Sequence, residues 1–183
     1  MIDSLSKMLA ALLAVLLLYI YPAAEAANRQ DELSQLTVYN TVTSFVDAVR
    51  TKGYITPTMY NQFQQELSLT GNTYNTQIEH LHKKYVPAYD DPANQLGFTG
   101  EFDAVMNGYY NEQIMPVLYP DNLVSIDDPS RKYFLTSGDS FRVEVQNTNR
   151  TPGAIFQEWL HFGAESVNRV TANYGGMVLN EDY

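Results

Sequence analysis

No cysteine occurs among the 183 residues. That excludes disulfide frameworks, zinc–thiolate centres and thiol nucleophiles. Basic residues are scarce as well: 11 Lys and Arg stand against 21 Asp and Glu, a formal net charge of −10 at pH 7. A protein that holds nucleic acid by neutralising phosphates needs the opposite balance, so the composition argues against that class. H-E-x-x-H, G-x-S-x-G and phosphate-cradling glycine loops are all missing. What is present is apolar and aromatic. Hydrophobic residues make up 45%, enough for one domain with a core plus an additional segment. Fourteen tyrosines supply large, stiff side chains suited to surfaces that are partly wet and partly packed.

The long apolar run is at the N-terminus. Residues 8–24 carry no charge and include six leucines, a length at the lower edge of the ~17–25 residues that span a bilayer as a helix. Lys7 precedes the run, whereas Glu25, Asp31 and Glu32 follow it with Arg29 as the lone base. The positive-inside rule then places the N-terminus in the cytoplasm and the rest outside, with Tyr19 and Tyr21 at an interface. The expected organisation is a transmembrane anchor over 1–24 and an exported domain over 25–183, single-pass in the cell membrane. The alternative is secretion after cleavage near Ala26. There Lys7 is the basic start, Leu9–Ile20 the apolar core and Ala24-Glu25-Ala26 the cleavage site. Helical patterning continues beyond Ala26, which favours the anchor.

From Ala23 to Lys52 there is neither glycine nor proline. Apolar residues recur at Leu33, Leu36, Tyr39, Val42, Val46 and Val49, which predicts an amphipathic helix over 25–52 whose stripe packs and interacts. Arg50, Lys52 and Gly53 make a stop signal, and Pro22 is expected to kink the helix. Thr56 and Pro57 open a second helix, with Tyr60, Phe63 and Leu67 on its apolar face and Gly71 at its end. Alternation at Tyr74, Thr76 and Ile78 predicts a strand. The clearest strand is Ser140–Gln146, with Phe141, Val143 and Val145 inward and Lys132–Leu135 as its expected hairpin partner. Ala154–Phe162 reads as a short helix and Val167–Tyr174 as a last strand. The stretch 85–130 holds eight acids, no base and five prolines, and is expected to be largely irregular and exposed. The fold class is therefore α+β: a long N-terminal helix and a second helix packed on a small antiparallel sheet.

His80 and His82 alternate within a possible strand, with His161 far along the chain. Two histidines two apart are expected as ordinary surface residues, followed as they are by Lys83 and Lys84, and no metal or other cofactor is expected. Asp90-Asp91 and Asp127-Asp128 sit beside prolines, which is turn chemistry. No catalytic residue stands out, so the chain is read as a non-enzyme without an evident small-molecule substrate. Trp159, three residues after Phe156, is expected to anchor a core or an interface, and Asn149-Arg150-Thr151 matches a glycosylation sequon.

The order of parts is an apolar helix, a proline at its end, an amphipathic extension, and then a cysteine-free α+β domain. It resembles pilins and pseudopilins, and more narrowly the TadE/TadF-type minor pilins of bacterial tight-adherence pilus systems. The stretch Asp47–Pro57 and the tail Tyr174–Tyr183 add to the resemblance. It implies a structural or assembly component of a surface pilus or secretion apparatus, whose partners are the membrane and other such components or copies of itself. No Gly precedes position 53 and residues 8–24 hold no acid, whereas prepilins of these systems carry a Gly cleavage site and a Glu in the helix. The resemblance therefore implies a membrane-resident accessory component more than a fibre subunit. A ligand-binding or enzymatic domain, secreted or anchored, is the alternative class.

Overall fold

The computed structural model describes residues 2–89, 98–121, 124–160 and 170–181. Its dominant element is α1, Ile2–Lys52, one helix of 51 residues that runs through Pro22 without interruption. At 1.5 Å per residue it is about 76 Å long. Its N-terminal part stands clear of the other described residues: Leu9, Leu12, Leu13, Leu16, Leu17 and Leu18 are all exposed. An 18-residue window in this helix has a mean hydropathy of 1.9, so α1 is long and apolar enough to cross a membrane.

Its second half is a wall of the domain. The buried positions are Ala24, Ala27, Asp31, Ser34, Val38, Thr41, Val42, Phe45, Val46 and Val49. Their alternation of three- and four-residue steps keeps one face inward. The apolar spacing at Leu33, Leu36, Tyr39 and Val42 does not, because three successive steps of three each fall short of a full turn. At about 100° per residue, Val42 lies about 180° round the helix from Leu33. Val42, Val46 and Val49 are accordingly in the core, whereas Leu33, Leu36 and Tyr39 are exposed. The expected stripe is two faces.

The chain leaves α1 at Gly53, which adopts φ +71° and donates its N–H to Val49 O at 2.8 Å. A two-residue strand β1, Tyr54–Ile55, leads into α2, Pro57–Ser68, where the Thr56 hydroxyl accepts from Met59 N–H and Pro57 takes the first turn. Phe63 of α2 stacks on Phe45 of α1 with ring centroids 4.4 Å apart, and Leu67 is buried beside it. The two helices thus share one core.

The sheet is antiparallel, in the order β3-β2-β5-β6, from β2 Tyr74–Tyr89, β3 Phe98–Tyr110, β5 Ser140–Asn147 and β6 Thr171–Met177. Strand β5 is interior, and its register places Val143 opposite Ile78 on one side and Tyr174 on the other. Phe141, Val143 and Val145 face α1 and are buried. Arg142 and Glu144 face solvent, and Arg142 lies 3.9 Å from Glu79.

Three expectations change here. The segment Lys132–Leu135 is not the hairpin partner of β5. Its strand β4, Tyr133–Phe134, pairs with β1 instead, because the turn that follows is tied elsewhere. Gly138 N–H bonds Val178 O and Leu135 N–H bonds Gly53 O, which turns the chain away from β5. The stretch 85–130 is exposed over much of its length but not irregular. It contains the end of β2, all of β3 and the helix α3, Asn111–Leu118, with Ile114 and Leu118 buried. Three of its prolines mark joints: Pro87 at a register shift, Pro120 after α3, Pro129 opening a 3-10 turn; Pro116 lies inside α3. Lastly, β6 includes Gly175 and Gly176, where the sequence reading ended its strand; Val167–Arg169 lie outside the described residues. A Cβ on Gly176 would sit 2.7 Å from the Arg50 guanidinium carbon, and Arg50 itself donates to Met177 O at 2.9 Å. The strand keeps glycine so that the end of α1 can lie against it.

The chain after β6 then caps α1. Leu179 and Asn180 N–H both reach Arg50 O, and Glu181 N–H reaches Thr51 O at 2.7 Å. These donors satisfy carbonyls that a helix end leaves open.

Candidate functional site

Two regions merit a functional reading. The first is the outward face of α1. Leu33 and Leu36 are 65% and 57% exposed, and Tyr39 lies at the seam, its ring meeting Tyr174 edge-on at 6.4 Å. These three are the half of the expected interaction residues that the domain's own core leaves uncovered. Val42, Val46 and Val49 belong to that core.

Below them, α4, Pro152–Leu160, docks on α1. The Thr151 hydroxyl donates to Asp31 Oδ2 at 2.5 Å and accepts from Ala154 N–H, so one side chain both caps α4 and ties it to α1. Gly153 lies so close to Asp31 that a Cβ there would collide with the carboxylate. Small residues at Ala24, Ala27 and Ala154 allow the close approach. Ile155 and Trp159, one helical turn apart, are exposed on the opposite side of α4. Trp159 is therefore no core residue; it presents an aromatic surface beside the point where α1 leaves the domain. Phe162 and His161 lie outside the described residues.

The second region is a polar cluster under the sheet. His80 is not a surface residue: its side chain is 5% exposed, and that of His82 is 35%. Both turn to Asp139, itself 2% exposed. Strand periodicity puts His80 and His82 on the same face of β2, and the turn before β5 delivers Asp139 to them. His80 Nε2 lies 2.8 Å from Asp139 Oδ2, and His82 Nδ1 lies 3.0 Å from Oδ1. The carboxylate also accepts Thr136 N–H at 2.8 Å and Lys83 N–H at 3.1 Å. On the far side of His80, Nδ1 is 2.7 Å from the Tyr133 hydroxyl, while the ring stacks on Tyr109 with centroids 5.5 Å apart.

The charge states follow. Burial alone would raise the Asp139 carboxyl, but hydrogen bonds from His80, Thr136 N–H, His82 and Lys83 N–H outweigh it and hold the group below the usual aspartate value. Burial, with Tyr109 and the Asp139 charge nearby, pushes the Tyr133 phenol up to about 12, so it keeps its proton at neutral pH. For a neutral His80 ring, an ionised Asp139 then requires the hydrogen on Nε2, and Tyr133 donates to Nδ1. Neither Asp139 nor Tyr133 is visible as a partner in the sequence, where they lie more than fifty residues away.

Comparison with protein-family models, with curated proteins and with solved structures finds no match. The functional reading rests on the geometry.

Asn149 of the glycosylation sequon is engaged: its side-chain oxygen accepts Thr73 N–H at 3.0 Å and its amide donates to Asn72 at 2.8 Å. A groove between α1 and α2 is lined by Ser44, Phe45, Ala48, Lys52, Met59, Gln62, Phe63 and Glu66. It mixes a hydroxyl, an amide, an ammonium and a carboxylate with apolar side chains.

Proposed function

We propose that this protein is a non-catalytic structural or assembly component, held in a membrane by the first half of α1 and working through the outward face of the second half, as part of a surface pilus or secretion apparatus. The observation that carries this reading is the division of labour along one unbroken helix. Residues 8–19 are apolar and bare, residues 38–49 are welded into the domain, and Leu33 and Leu36 project from the opposite side, exposed among the described residues. An anchor for an independent soluble domain needs no rigid 51-residue helix and no apolar outer face. A subunit that packs side by side with neighbours needs both. The helix-on-antiparallel-sheet arrangement fits the pilin-like resemblance, and Ile155 and Trp159 beside the helix exit suit a position at a membrane interface.

The test is a chromosomal substitution of Leu33→Asp and Leu36→Asp together. Both residues are exposed, so the unfolding free energy of the purified protein should stay within the small range of surface changes, roughly ±0.5 kcal/mol. Surface fibres, or export through the apparatus, should be lost. Intact assembly in cells carrying the double substitution would remove the reading's support.

A further inference from the structure

The buried cluster under the sheet has the makings of a metal centre. His80, His82 and Asp139 each offer one ligand atom, a ring nitrogen or a carboxylate oxygen, and the three atoms lie within 4.8 Å of one another. In a tetrahedral site with metal–ligand bonds of about 2.0–2.2 Å, neighbouring ligand atoms stand roughly 3.3 Å apart. Around Asp139 Oδ2 the two histidine separations, 2.8 Å to His80 Nε2 and 3.1 Å to His82 Nδ1, need to open by only a few tenths of an ångström, while the two rings, whose ligand atoms lie within 4.8 Å, draw together. We propose that His80, His82 and Asp139 form a three-ligand site for a divalent first-row ion, zinc foremost, with water in the fourth position.

The surroundings favour this set over a chance meeting of two histidines. Each of the two buried ligands has an outer partner that fixes its orientation. With Nε2 on the metal, the His80 hydrogen moves to Nδ1 and is donated to the Tyr133 oxygen, already 2.7 Å away; Tyr133 rotates its own hydrogen aside. Asp139 is aimed by Thr136 N–H and Lys83 N–H, both independent of the histidines. His82 gives up its Nδ1 hydrogen and takes one on Nε2, at the solvent side of a ring that is 35% exposed. Two neutral imidazoles and one carboxylate match a borderline-soft cation and leave it a net charge of +1. Entry is from the His82 side.

The adjacent lysines do not close the site. Lys83 contributes only its N–H; its side chain lies on the other face of β2, with the ammonium 4.9 Å over the Tyr85 ring. Lys84 shares the face of His82 but sits two residues further out, opposite Val105, and is exposed. The sequence expectation of no metal rested on surface histidines and a distant third ligand; here one histidine is buried and the third ligand is Asp139.

Metal binding at this cluster is independent of assembly and is measured without any activity. The full chain, purified in detergent without a polyhistidine tag and stripped with EDTA, is titrated with zinc and, for its visible spectrum, with cobalt. Equimolar binding, tetrahedral cobalt bands and a raised melting temperature are expected. His82→Ala should fold, since Asp139 keeps three other donors, yet lose about 100-fold or more in zinc affinity. Tyr133→Phe should weaken binding by about 10–100-fold through loss of the outer hydrogen bond. No saturable zinc binding by the wild-type chain, or equal binding by His82→Ala, would show that the cluster is a hydrogen-bond network only.

Discussion

Val143→Asp is expected to leave the domain largely unfolded at room temperature. Val143 is fully buried at the centre of the interior strand β5, opposite Ile78 and Tyr174 and facing α1. The new carboxylate would have no water and no cation within the core, a cost of several kcal/mol. Whole domains are stable by only about 5–15 kcal/mol. Glu144→Gln, one residue on and facing solvent, should stay within roughly ±0.5 kcal/mol. Urea unfolding followed by circular dichroism measures both. Equal midpoints for Val143→Asp and the wild type would mean that the sheet faces the helix with its other side.

Asp139→Ala should be the next most damaging change, costing about 3 kcal/mol or more. It leaves Thr136 N–H, Lys83 N–H and the His80 ring hydrogen without their acceptor in a site where the side chain of His80 is 5% exposed. Each buried donor left unpaired costs about 1–3 kcal/mol, less where water can enter. Asp139→Asn keeps one acceptor oxygen and should lose distinctly less. A melting temperature unchanged by the alanine substitution would show that the cluster adds nothing to stability.

These two sites differ in how far the sequence revealed them. The faces of β5 were legible because Ser140–Gln146 alternates strictly, and a strand with one buried face has no other way to place those residues. The second helix was legible through Thr56 and Pro57, whose roles are local. Strand β3 was not: it is exposed on both faces over most of its length, so burial imposes no alternation on it. On α1, counting apolar spacings missed the inward face because Ala24, Ala27, Asp31 and Ser34 hold it with small and polar residues. The His80–Asp139 contact joins residues 59 apart through a turn and two strands, and only the topology brings them together. Glycines at 175 and 176 read as a strand end, whereas they exist to admit Arg50 and the backbone of β5.

We propose that α1 is a single element whose outward face packs against neighbours. This is tested most directly by single cysteines at Leu33, Leu36, Val46 and Val49, convenient in a chain that has none, with crosslinking in native membranes. The account predicts adducts to copies of this chain or to other components of the apparatus at Leu33 and Leu36, and none at the buried Val46 and Val49. An uncrosslinked monomer at all four positions would contradict it.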